Sequence, residues 1–246
     1  MYHEVTPHPH PAFRKYAITP AKFAAQMRWL AFCGYESISL DDWLTHRNDG
    51  TGLPPKPVII TFDDGYRDCA RYAAPILASY HFKAIFYLVS GYMGRTSRWL
   101  MAEKGCEFPL MTWAMARELE AAGVQCGAHS LTHPLLAEIS TERCKQELAE
   151  CRSEMEHHLG HEIRHFAYPY GSYNEAVREI AAETGYASAC SVRIGLSAAD
   201  DDVLALHRVP VSGQESLLDF IFRLRTAHSS REWLQARAWL NALGAV

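Results

Sequence analysis

Val58-Ile59-Ile60-Thr61-Phe62-Asp63-Asp64-Gly65-Tyr66 is the stretch on which the fold turns. Its first five residues are apolar or β-branched, and they follow Pro54, Pro55 and Pro57. A short apolar run bounded by prolines reads as a buried strand. Two carboxylates then stand side by side where the strand ends. Charges leaving an apolar strand have to be paired, hydrated or bound to a cation. Taken alone, the stretch fits a simple Asp-Asp-Gly turn equally well.

Outward from it, strand and helix alternate. Residues 35–40, 83–89, 124–128, 163–168, 186–192 and 204–211 have the same β-rich character. Thr19-Pro20 offers an N-cap and a first-turn proline to a helix that ends at Gly34. Further helices are expected at 67–80, 113–122, 140–159, 173–184, 217–226 and 231–243, with a loop at 91–109. His8-Pro9-His10-Pro11 reads as an exposed loop. Such alternation predicts a parallel sheet or barrel. At 246 residues the chain matches a single α/β barrel domain over 1–246.

Composition narrows the classes. Hydrophobic residues make up 48% and charged residues 21%, as in a globular domain rather than a disordered chain. The formal net charge of −4 comes with no basic patch, which argues against nucleic acid and suits a neutral or cationic substrate. No run of 18 apolar residues is present, so no membrane span is expected. Seven cysteines without a Cys-x-x-Cys pair read as free thiols of a reducing compartment. The expected location is cytoplasmic as the chain stands. It becomes extracytoplasmic if a leader precedes Met1-Tyr2-His3-Glu4-Val5, which already reads as a strand.

Two more segments carry chemistry. His129-Ser130-Leu131-Thr132-His133 directly follows the strand at 124–128. Its imidazoles converge if the loop winds into a turn, and neutral imidazole suits zinc and its neighbours. Two His and one carboxylate would leave positions open for water and substrate. In Phe166-Ala167-Tyr168-Pro169-Tyr170-Gly171, Pro169 and Gly171 force a turn. That turn can present the Tyr170 backbone N–H as an oxyanion donor. Among aromatics, Tyr92, Trp99 and Trp113 read as packing residues. Tyr66, beside the dyad, is the one singled out to meet a sugar ring.

Over residues 1–211 these segments resemble the polysaccharide deacetylase family (carbohydrate esterase family 4, the NodB homology domain). The matches Thr61-Phe62-Asp63-Asp64-Gly65 and His129-Ser130-Leu131-Thr132-His133 are close, and the third motif is partial. Met1-Tyr2-His3-Glu4-Val5 and Tyr35-Glu36-Ser37-Ile38-Ser39-Leu40 resemble the branch that deacetylates poly-N-acetylglucosamine exopolysaccharides. The resemblance implies a distorted (β/α) barrel of seven or eight parallel strands, circularly permuted relative to the wider family. It implies a hydrolase that removes N-acetyl groups from an acetylated glycan or oligosaccharide. Asp64, His129 and His133 would hold a divalent metal, zinc first, with cobalt, nickel or manganese also suited. Asp63 would be the general base, unligated and facing solvent. Tyr170 would supply the oxyanion N–H, and His3 the general acid, with His207 as its rival. The family's third-motif Arg is replaced by Ala167, so Arg164 or Arg67 is expected to stand in, and the Asp-Trp fourth motif has no counterpart. Two other readings stay open: a hydrolase of non-sugar amides or cyclic imides, and a non-catalytic carbohydrate-binding module.

Overall fold

The computed structural model of the chain describes residues 1–228, in which short parallel strands alternate with helices. The helix expected at 231–243 lies outside them. β1 (Glu4–Val5) and β2 (Ala17–Ile18) lead into α1 (Pro20–Phe32), and β3 (Glu36–Ser37) into α2 (Leu40–Asp49). β4 (Pro57–Val58) and β5 (Thr61–Phe62) carry the Asp-Asp-Gly stretch and precede α3 (Ala74–Ser79). Then follow β6 (Ile85–Leu88), α4 (Trp99–Lys104), α5 (Trp113–Ala121), β7 (Gln125–Ala128) and α6 (Thr141–Leu159). β8 (His165–Ala167), α7 (Glu175–Glu183), β9 (Ser188–Ile194), β10 (Leu206–Arg208) and α8 (Leu217–Thr226) complete the order.

Six strands form one curled parallel sheet in the order β10-β9-β8-β7-β6-β5. The first residues of the chain lie between its two edges. The Tyr2 N–H donates to the Thr61 carbonyl at 2.8 Å, and the Asp63 N–H donates to the Tyr2 carbonyl at 3.0 Å. At the other edge the Met1 ammonium donates to Val209 at 2.9 Å, and Val211 N–H donates to Met1 at 3.0 Å. These bonds satisfy edge groups that would otherwise be open to pairing with another chain. The parallel α/β architecture expected from the alternation is therefore present, with six strands in the main sheet rather than seven or eight, and with Met1 and Tyr2 bonded to its two edges.

Aromatic layers fill the interior. Phe62 and Phe86, partners in register on β5 and β6, stack with ring centroids 4.4 Å apart, and Tyr2 stacks on Phe62 at 5.3 Å. Outside the sheet, α6 is capped by Ser140, whose Oγ accepts from the Arg143 N–H at 3.2 Å. It buries Cys144, Leu148, Cys151 and Met155, one stripe of a 3.6-residue repeat.

Three segments depart from the expected layout. The strand expected at 58–62 is two pieces, because β4 pairs with β3 while β5 joins the main sheet. The helix expected at 67–80 opens with a π-helical turn, Cys69–Ala73, before α3. Pro75 explains the break, since it lacks the N–H that would close the preceding turn. The loop expected at 91–109 contains α4, held by a Phe108 N–H to Ser97 Oγ bond of 2.9 Å. All seven cysteines are free thiols, and six of them are buried. No helix among the described residues is long and apolar enough to cross a membrane.

Candidate active site

The ends of β5, β7 and β8 bring three turns together, and each is wound tightly. Asp64 (φ 72°), Ser130 (φ 63°), His133 (φ 63°) and Tyr170 (φ 56°) all adopt the left-handed region. Among the described residues only His81 and Ala227 are further non-glycine examples. Backbone in this region is costly for L side chains and concentrates where function requires it.

Side-chain bonds reinforce the backbone of the turn bearing both imidazoles. The Ser130 Oγ accepts from the His133 N–H at 2.9 Å, closing the turn on itself. Glu147 of α6 is fully buried, and its carboxylate accepts from the Thr132 N–H at 2.8 Å and from the Thr132 hydroxyl. Arg143 balances that buried charge from one helical turn away, at 2.6 Å. Glu147 is a residue that sequence reasoning did not find. On its helix it reads as one of many surface acids, and only its burial reveals the role.

Asp64 and the two imidazoles converge. Asp64 Oδ1 lies 3.3 Å from His129 Nε2 and 3.2 Å from His133 Nε2, with all three side chains buried. Nδ1 of His129 sits 2.7 Å from the Ala167 carbonyl, which can only accept, so that nitrogen carries the ring proton. In the neutral ring, Nε2 then presents a lone pair to a carboxylate oxygen. A proton or a cation has to lie between them. Burial pulls the His133 imidazole below its ordinary pKa despite the pull of Asp64, which disfavours imidazolium there. The donors' spacing suits one ion, because donors about 2.0–2.1 Å from a tetrahedral centre stand roughly 3.3–3.4 Å apart. These are the three residues among those described whose ligand atoms gather closely enough to hold a metal.

Asp63 differs from the expectation. It is buried, not solvent-facing, and Arg208 clamps it with two bonds: Nη1 to Oδ1 at 2.6 Å and Nη2 to Oδ2 at 2.8 Å. Burial pushes the Asp63 carboxyl up, but the Arg208 charge and hydrogen bonds outweigh it and hold it below the usual range. Arg208 therefore fills the place left by Ala167. Arg164 instead pairs with Asp41 at the opposite end of β8, and the Arg67 side chain is exposed. Strand alternation separates the neighbours His207 and Arg208. His207 faces away and pairs with Asp201 at 3.2 Å, outside the cluster.

His3 is half-buried beside the dyad. Burial lowers its pKa most, opposed by the charges of Asp64 and Asp63, and its Nδ1 has no partner among the described residues. The Tyr170 ring meets His133 edge-on at 4.5 Å, while Trp99 stacks on His133 at 4.5 Å. So Trp99, read from sequence as loop packing, borders the site. Tyr66 does not meet solvent. It is 1% exposed and wedged edge-on against Phe13 and Phe108, so no sugar ring reaches it.

A parallel α/β sheet with a buried His-His-Asp cluster at the carboxyl ends of its strands, and a clamped second carboxylate beside it, places its polar groups where barrel enzymes carry their sites. Residues 50–189 match the family model described as polysaccharide deacetylase, and the chain belongs to that family of enzymes acting on polysaccharide. YxkH of Bacillus subtilis is 26% identical over 212 residues, covering 86% of this chain and 70% of YxkH. The poly-β-1,6-N-acetyl-D-glucosamine N-deacetylase of Escherichia coli K12 is 24% identical across 82% of this chain, but the match spans only 34% of that relative. Among solved structures, IcaB from Ammonifex degensii superposes with a TM-score of 0.68 at 27% identity, covering 78% of this chain and 82% of IcaB. The Streptococcus pyogenes deacetylase PplD, in complex with acetate, shares the fold at a TM-score of 0.79 and 23% identity, covering 91% of this chain and 96% of PplD.

Proposed function

We propose that this chain removes N-acetyl groups from an N-acetylglucosamine-containing polysaccharide or oligosaccharide, using one divalent cation held by Asp64, His129 and His133. The observation that carries the reading is the facing of two imidazole nitrogens and a carboxylate oxygen at 3.2 and 3.3 Å, with the His129 ring proton already committed to Ala167. Zinc suits this donor set first, and cobalt, nickel or manganese also fit. When bound, such an ion polarises the acetamide carbonyl and acidifies water.

The chain's own residues divide the remaining work. Asp63, ionised and fixed by Arg208, takes the proton of the attacking water. The Tyr170 N–H donates to the carbonyl oxygen as it gains charge. His3 delivers a proton to the departing nitrogen, because an amine leaves poorly without one. The products are acetate and a glucosamine unit. The named activity of the E. coli relative favours a glycan over another amide.

The test pairs metal analysis of the purified chain with acetate release from chitooligosaccharides, poly-β-1,6-N-acetylglucosamine and a set of cyclic imides. The expected result is about one divalent ion per chain and acetate release from a glycan that chelation abolishes. Full activity after chelation would overturn the reading. So would imide hydrolysis with no acetate from any glycan.

A further inference from the structure

Tyr170 sits at the crest of a turn that cannot be held by its own backbone preference. Tyr170 (φ 56°) and Gly171 (φ 67°) are consecutive left-handed residues, and only glycine adopts that region freely. Gly171 is pinned from below. A Cβ added there would lie 2.2 Å from Val192 Cγ2, so β9 packs directly against it. From above, the Tyr170 hydroxyl donates to the Glu103 carboxylate.

Glu103 belongs to α4, in the crossover between β6 and β7, 67 residues away from Tyr170. That helix has a fixed frame. Leu100 is buried, and Ser97 just before the helix is fully buried and bonded to the Phe108 N–H. Trp99 and Glu103 are four residues apart, so they share one face of α4. Trp99 stacks on His133, and Glu103 grips the tyrosine whose ring rests on that same imidazole. The bond thus joins two loops around one side of the site.

We infer that Glu103 is a positioning residue: through the Tyr170 hydroxyl it latches the turn that aims the Tyr170 N–H at the reacting carbonyl oxygen. The inference rests on the deacetylase reading for its rate consequence, but its structural content stands apart from that reading. Glu103 touches no substrate atom in this role. Its carboxylate acts as an acceptor, so an amide oxygen should serve nearly as well.

The test uses the zinc-loaded chain and the variants E103A, E103Q, Y170F and E103A/Y170F. E103A is expected to lower kcat for N-acetylglucosamine oligomers by about tenfold, the rate equivalent of one lost hydrogen bond, with KM and zinc affinity little changed. Y170F should match it, the double variant should lose no more than either, and E103Q should recover most of the rate. Independently of turnover, the Gly171 and Ser172 amides, bonded to Tyr168 and Pro169 carbonyls, report opening of the turn. Their hydrogen exchange should quicken about five- to tenfold in E103A and Y170F, but not in E103Q. Unchanged exchange in E103A would overturn the latch. Equal losses in E103Q and E103A would also overturn it, because charge rather than the bond would then be responsible. If the wild type released no acetate from any glycan, the deacetylase reading would fall, and the exchange rates alone would decide the latch.

Discussion

Replacing Arg208 by methionine should loosen the hold that keeps Asp63, the base in the proposed reaction, ionised. The two side chains are 5% and 4% exposed and share bonds of 2.6 and 2.8 Å, so the carboxylate has little water to fall back on. Breaking a buried pair from one side typically costs about 3–5 kcal/mol. That cost falls on the ionised form, so the Asp63 pKa moves up. The sign follows from linkage. In the wild type the carboxyl is held low, so the pair stabilises the fold above the unfolded value of 3.8 and that stability is lost as pH falls. In R208M burial acts without its main opponent, the pKa rises, and ionisation now destabilises the fold as pH climbs. Two measurements follow: kcat/KM against pH, and urea unfolding at pH 4 and pH 7. R208M should show its acid limb displaced upward and a stability deficit larger at pH 7 than at pH 4. R208K, which keeps charge but loses the fork, should fall between. An acid limb that stays in place, together with unchanged unfolding, would refute the clamp.

Asp63→Asn should cut turnover by about 10²–10⁴ while the metal content stays at the wild-type level, whereas His129→Ala should lose both; metal analysis beside an acetate assay separates them. Glu147→Ala frees Thr132 and strands Arg143, so zinc affinity measured by chelator competition should drop about 10–100-fold without loss of any ligand. Wild-type affinity in that variant would mean the turn holds itself. Glu4 is buried, and burial followed by the Asp68 charge pushes its carboxyl up to about 7. A raised acid favours the fold while protonated, so wild-type stability should decline from pH 5 to pH 8. Glu4→Gln should flatten that decline and gain about 3 kcal/mol above pH 7. Parallel pH curves for the two proteins would show that Glu4 is solvated.

Much of this arrangement is legible in the sequence because local signals carry it. The apolar run into Asp63-Asp64-Gly65, the His pair four apart and the Pro-x-Gly turn each announce a strand end, and the barrel brings the three ends together. What stays hidden is set by distant partners. Arg208 lies 145 residues from Asp63, and nothing in Leu206-His207-Arg208 marks which side chain faces inward until the strand's phase is known. The same one-residue difference in phase turns His207 toward Asp201 instead. The burial of Asp63 is hidden for the same reason, because an adjacent pair of acids suggests water unless its cation is in view. Tyr66 failed differently. Its place beside the dyad in sequence gave no hint that Phe13 and Phe108 would enclose it.

The seam of the barrel also bears on how the molecule is made. Met1 bonds to Val209 across 208 residues, and Asp63 is clamped from β10. Strands β5 through β9 are all synthesised before either contact can form. Until β10 emerges, the N-terminal segment has no second edge to bridge, and Asp63 has no guanidinium to receive it. Such late, long-range closure slows folding and leaves partly assembled sheet exposed in the interval. A chain stopped short of Arg208 would hold Asp64, His129 and His133 and still lack the partner that pins Asp63.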